Sequence, residues 1–227
     1  RLISGIADAF DSFDAENQCR CIVLCSEGKH FCAGANFGKD RDMHDKTDPY
    51  SELYKQAVRL FRNKKPVIAS VQGGAIGGGL GLSLVADFRI GCSESRFSAN
   101  FSMLGFHQGF GTTVTLPRVV GNQNAMMMML TGRRLKGEEA YEIGLIDYLV
   151  PLSDVRSKAL DLAEEISEAG PLAVQSIRST IRAGLADKVE KIVSWELSEQ
   201  MRLQTTKDFK EGISASLERR KPKFSGS

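Results

Sequence analysis

Apolar residues recur at helical spacing through Leu2, Ile3, Ile6, Phe10 and Phe13, which predicts an amphipathic helix at the start of the chain. Cys21-Ile-Val-Leu-Cys25 is a continuous apolar run, the pattern of a buried strand, and it leads into a glycine-containing loop from Gly28 to Gly38. Cys19, Cys21 and Cys25 fall at even spacing in that run and are expected to share one strand face. Residues 38–50 are polar and rich in Asp and Lys, the composition of a mobile surface segment. Leu53, Ala57, Leu60 and Phe61 then mark one face of a second helix over 51–63. Pro66 to Gln72 predicts a strand, Gly73 to Gly79 a tight loop, Leu80 to Ala86 an apolar helix and Phe88 to Gly91 the next strand. This β-loop-α-β order predicts a parallel α/β core with its working loops at strand C-termini.

Beyond residue 121 the pattern is helical almost throughout. Helices are predicted over 124–130, 138–143, 154–169, 171–183, 188–204 and 206–220, with Pro171 suited to a first helical position after Gly170. The run Met126 to Met129 is read as core filler.

Composition narrows the functional classes. A chain of 227 residues, 42% hydrophobic and 26% charged, fits one globular domain that needs neither disulfide nor metal to hold it. Thirty basic against 28 acidic residues leave +2, too little for a global field that captures nucleic acid. The basic run around Arg219, Arg220, Lys221 and Lys223 is either a solvated tail or a local anion contact. The longest apolar stretch, Val67 to Val85, is broken by glycines, and nothing reaches the ~18 uncharged residues of a membrane helix. Five cysteines without zinc-type spacing predict reduced thiols, no metal and a cytoplasmic protein, with mitochondrial or peroxisomal placement open in a eukaryote. The chain opens at Arg1 with neither an initiator methionine nor a signal peptide, so a preceding N-terminal segment is expected.

The glycine cluster Gly73-Gly-Ala-Ile-Gly-Gly-Gly79 is the main chemical signal. It lacks the Lys-Ser/Thr pair of a phosphate-cradling loop, the last glycine of a dinucleotide fingerprint and the second glycine of a serine elbow. Two readings stay open from glycines alone: close helix–strand packing, or backbone N–H groups offered to a substrate oxygen. One such donor is worth roughly 2.7–4 kcal/mol in a transition state.

A second loop, Phe31-Cys-Ala-Gly-Ala-Asn36, also follows a strand. Together with Pro66-Val-Ile-Ala-Ser-Val-Gln-Gly-Gly-Ala-Ile-Gly-Gly-Gly79 and Ala86-Asp87, it resembles the paired signatures of the enoyl-CoA hydratase/isomerase (crotonase) superfamily. The likeness continues through Phe97, Gly105, Gly109, Gly111, Leu116-Pro-Arg118, Leu130-Thr-Gly132 and Gly144-Leu145 to Arg219-Arg-Lys-Pro-Lys-Phe224. The resemblance implies an α/β crotonase (ClpP-like) fold of stacked ββα units, with a core over 1–150 and a helical oligomerisation region over 151–227. It also implies a strand unit before Arg1, assembly as a homotrimer or hexamer, and no cofactor beyond coenzyme A as part of the substrate. By position, the amides of Ala35 and Gly78 would hold a thioester oxygen. Ala33, Gly34, Asn36, Phe37, Gly77, Phe101 and Arg219 would line or contact the acyl-CoA.

The departures bear on chemistry. The two hydratase glutamates match Gly81 and Phe101 here, and the aspartate of isomerases and dehalogenases matches Gly109. None of the three can move a proton. Among nearby residues, Ser102, His107 and Gln108 stand in the segment facing the thioester, and His107 alone titrates near neutral pH. It is either the proton carrier or a solvated loop histidine. His30 would support the first loop, while His44, Asp40, Asp42 and Asp45 lie in the polar segment and Cys32 is read as structural. Phe101 and Phe106 would offer an apolar wall suited to decarboxylation of a malonyl-type thioester. A non-catalytic acyl-CoA-binding or assembly subunit is the alternative.

Overall fold

The strands are β1 (Ile22–Leu24), β2 (Val67–Val71), β3 (Gly74–Ile76), β4 (Phe88–Gly91), β5 (Arg96–Ser98), β6 (Arg134–Lys136) and β7 (Tyr148–Leu149). The helices are α1 (Leu2–Ala15), α2 (Pro49–Phe61), α3 (Gly78–Ser83), α4 (Thr112–Thr131) and α5 (Gly137–Glu142), followed by α6 (Val155–Glu168), α7 (Pro171–Ile181), α8 (Leu185–Gln204) and α9 (Lys207–Leu217). These come from a computed structural model that describes residues 2–35 and 49–227. The α/β fold with its helical C-terminal region is as expected.

One sheet runs β1-β2-β4-β7, all parallel, and the other β3-β5-β6, with β3 parallel and β6 antiparallel to β5. All five residues of β2 are buried, as a strand covered on both faces requires. Val67, Ala69 and Val71 face the main core, while Ile68 faces a second cluster formed with Ile90 and with Val155, Ala159 and Leu162 of α6. The strand's period of two thus sends alternate residues into different cores. Helix α7 docks through Asp87, whose carboxylate accepts from Arg178 at 2.7 Å and Arg182 at 2.8 Å.

Some expectations are corrected. The strand at the first apolar run covers Ile22–Leu24 alone; Cys19 packs on the main core and Cys21 on the second, so the cysteines do not share a face. Burial pushes the Cys21 thiol up to about 11. The stretch read as one loop contains β3. Met128 is buried, whereas Met126 and Met127 are exposed, so the methionine run is only partly core. Helix α4 begins well before residue 124 and kinks at Gly121.

Candidate active site

The two glycine-bearing loops meet because each lacks a side chain where the other passes. A Cβ on Gly34, which sits at φ +86°, would lie 2.6 Å from the Ile76 carbonyl oxygen and 3.8 Å from the Gly78 nitrogen. A Cβ on Gly79 would lie 1.9 Å from the Cys32 carbonyl oxygen. Glycine at both points is a packing requirement. The approach is tied by backbone bonds: Phe31 N–H donates to Gln72, Cys32 N–H to Gly74 at 2.9 Å, and Ile76 N–H to Cys32 at 3.0 Å. His30 supports the same junction, its Nδ1 accepting from the Gly74 amide at 3.1 Å.

Beyond this junction the chain turns away from the ladder, and donors are left over. Neither the Ala35 nor the Gly78 amide has a hydrogen-bond partner among the described residues. Both residues line a cavity of about 990 Å³, together with Ala33, Gly34, Gly77 and Phe101. Open space lies above the Gly78 Cα, where nothing stands within 4 Å of a Cβ position.

Opposite these loops the wall is aromatic and aliphatic. Phe101, Leu104, Phe106 and Phe110 all line the cavity, and the Phe101 ring approaches to 3.8 Å from a Cβ built on Gly77. Phe110 holds a left-handed backbone, φ 63°, unusual for a bulky residue. Its side chain fills the space beside Gly81, where a Cβ would lie 2.7 Å from the Phe110 Cβ. At Gly109 a Cβ would meet the Tyr54 hydroxyl at 1.9 Å.

The loop over 105–113 is pinned from beneath by Glu196 of α8. This fully buried carboxylate accepts from the Gly111 amide at 2.8 Å, the Thr113 amide at 3.0 Å and the Thr113 hydroxyl at 2.6 Å. Burial raises its pKa, against the lowering effect of those bonds.

The remaining expected residues divide clearly. His107 is not among the residues lining the cavity. Its Nδ1 lies 2.8 Å from the Gln108 carbonyl oxygen. Arg219 is exposed and also stands outside the cavity lining, as do Ser102 and Gln108. Cys32 does line it. Asn36, Phe37, Asp40, Asp42, His44 and Asp45 lie outside the described residues.

Sequence reasoning missed Tyr54, Gln200 and the plugging role of Phe110. A signal was present for α8. The buried stripe of Leu185, Val189 and Val193 continues into Glu196 and Gln200, and two polar residues on an apolar face need buried partners.

The family model for enoyl-CoA hydratase/isomerase matches residues 1–227. The chain belongs to the enoyl-CoA hydratase/isomerase (crotonase) family. Among its relatives, the Bacillus subtilis (strain 168) protein YngF, named for enoyl-CoA hydratase/isomerase, is 34% identical, with 99% of this chain and 88% of that protein covered. The 1,2-epoxyphenylacetyl-CoA isomerase of Escherichia coli (strain K12) is 31% identical over 97% of this chain and 87% of its own. The crystal structure of an enoyl-CoA hydratase/isomerase from Pseudoalteromonas atlantica T6c superposes with a TM-score of 0.88 at 26% identity, covering 99% of this chain and 89% of that one. This family member contains no helix, among its described residues, that is long and apolar enough to cross a membrane.

Proposed function

We propose that this family member binds an acyl-CoA thioester with its carbonyl oxygen between the Ala35 and Gly78 amides, and acts on it by stabilising an enolate or tetrahedral oxyanion. The observation that carries the reading is the pair of amides without partners among the described residues, supplied by two touching loops at the wall of one cavity. Ala35 is exposed and Gly78 half-buried at the cavity wall, so both donors are open to an oxygen entering there, and two donors converging on one oxygen stabilise charge developing on it.

Ordinary hydration is not the reaction in this reading. A hydratase needs a base for water and an acid for the α-carbon. At the matching positions stand Gly81, closed over by Phe110, and the buried Phe101. Isomerisation, decarboxylation or hydrolysis of an acyl-CoA remains, with Phe101 and Phe106 as an apolar wall that discourages a carboxylate. The substrate is the only carrier of coenzyme A required, and assembly as a homotrimer or hexamer in the cytoplasm belongs to the same reading.

A non-catalytic acyl-CoA-binding or assembly subunit is the second reading, favoured by the aromatic filling of the three acid positions. A screen of malonyl-, methylmalonyl-, β-keto- and enoyl-CoA thioesters separates the two. Turnover of at least one is expected. Tight binding with turnover of none supports the second reading, and crotonyl-CoA hydration at an ordinary enzymatic rate overturns the exclusion of hydratase chemistry.

A further inference from the structure

Asn100 follows β5 where the chain passes beside Gly77 and Gly78. The Gly77 amide donates to the Ser98 carbonyl oxygen at 2.8 Å, which ties the two segments together. Two residues further on, the Asn100 side chain lies against Gly77, its Oδ1 3.3 Å from a Cβ built there. Covalent geometry then puts that oxygen within about 7 Å of the Gly78 nitrogen.

The carboxamide stands out from its surroundings. Its neighbours Ala99 and Phe101 are buried, and the Phe101 ring comes to 3.8 Å from the same Cβ position on Gly77. Asn100 itself is half-buried and lines the cavity. Among the described residues no protein group bonds to either end of its side chain, which offers two N–H donors and an accepting oxygen. Other enclosed carboxamides are tied at both ends. Gln200 accepts from the Tyr54 hydroxyl at 2.6 Å and donates to the His107 carbonyl oxygen at 3.0 Å. Asn63 donates to the Lys65 carbonyl oxygen at 2.7 Å and accepts from Arg178 at 3.0 Å. The Asn100 amide is satisfied only from the cavity. A ligand that displaces water from it must supply an oxygen in return, because donors left unpaired cost free energy.

We infer that Asn100 is a specificity-determining residue that donates a hydrogen bond to an oxygen on the β-carbon of the acyl group, and that the preferred substrates are 3-oxoacyl-CoA thioesters. The inference rests on the acyl-CoA reading above. With the thioester oxygen on the Ala35 and Gly78 amides, a β-oxygen is the next polar atom along the acyl chain. Donors to the two oxygens of a 1,3-dicarbonyl, each at about 2.9 Å from its oxygen, fit the separation that the Gly77 contact sets between Asn100 and the Gly78 amide. Asn100 is also the polar side chain that reaches Gly77, against a wall that includes Ile76, Phe101, Leu104, Phe106 and Phe110. A neutral donor in apolar company suits a ketone better than a carboxylate, which needs a charged partner once it leaves water.

Calorimetric titration with acetoacetyl-CoA, malonyl-CoA and butanoyl-CoA, whose acyl groups differ at the β-carbon, tests this. The wild type is expected to bind acetoacetyl-CoA about tenfold more tightly than butanoyl-CoA, and more tightly than malonyl-CoA. Asn100→Leu keeps the size and removes the donors. It is expected to weaken acetoacetyl-CoA binding by about tenfold while the Kd for butanoyl-CoA stays within about threefold. Asn100→Asp keeps the shape but presents oxygens in place of the donors, and is expected to weaken acetoacetyl-CoA at least as much. A wild type that binds acetoacetyl-CoA and butanoyl-CoA alike overturns the inference and leaves acyl-CoA binding standing. So does a preference that survives in both variants. Tightest wild-type binding of malonyl-CoA overturns the assignment to a ketone. A wild type that binds none of these thioesters overturns the underlying reading as well.

Discussion

The two walls of the cavity are made of different material. On one side, residues 31–35 and 74–79 present main chain, with glycines at the two tightest approaches and the Ala35 and Gly78 amides unpartnered among the described residues. On the other, residues 101–111 present rings: Phe101, Phe106 and Phe110 line the space, and Tyr54 closes in beneath Gly109. The first wall suits any thioester, because every thioester has the same carbonyl. In the proposed reading the second faces the acyl group and sets its chemistry. The loop over 105–113 that carries part of it is anchored on Glu196.

The largest effect is expected from removing one donor of the first wall. Gly78 is the first residue of α3, where proline is tolerated, and space is open at its Cβ position. Gly78→Ala keeps the N–H and is expected to be nearly neutral. Gly78→Pro deletes it and is expected to lower turnover of the thioester found by the screen by about 10²–10³-fold. Equal activity of the two variants breaks the distinction between backbone donor and mere packing.

On the second wall, Gly81→Glu alone is expected to destabilise the fold by about 1–3 kcal/mol in urea unfolding, since Phe110 occupies the new side chain's place. Phe110→Gly also relieves a left-handed backbone, so the double variant should recover much of that loss. Additive losses contradict the plug. Glu196→Gln replaces one of two accepting oxygens by a donor facing bound N–H or O–H groups, at an expected cost of about 1–3 kcal/mol in the same measurement.

The smallest effect lies away from the cavity. The Arg220 guanidinium, with the Lys223 amide, holds the Glu211 carboxyl down to about 2, below its ordinary 4.5. A depressed carboxylate contributes its stabilisation above the ordinary value and loses it as pH falls through the folded one. The Lys223 amide signal in NMR is therefore expected to stay in its docked position at pH about 5 and to move as pH falls towards about 2.

What could be read from the sequence follows the same division. Local patterns were legible: the helical periodicity of α1 and α2, the apolar run of β2, and the small residues of both loops all act through neighbours in sequence. The short strands β3, β5 and β6 were not, because three residues carry too little periodicity and their pairing is made by distant segments. The first wall is backbone, whose requirement for glycine is written at the position itself. The second is assembled by α2, α8 and the loop over 105–113, so the meeting of Tyr54, Gln200 and Gly109 depends on separations of up to 146 residues. His107, two residues from Gly109, meets the Gln108 carbonyl oxygen through its Nδ1 and is not among the cavity-lining residues, a placement that local sequence alone does not fix.

The central claim is that two amides draw negative charge onto one thioester oxygen. Isotope-edited infrared difference spectra of butanoyl-CoA carrying 13C at its carbonyl measure that directly. The C=O stretch is expected to fall to lower frequency on binding, with a clearly smaller fall in Gly78→Pro and an undiminished one in Gly78→Ala. A carbonyl that binds with its stretch unmoved from the free thioester contradicts the account.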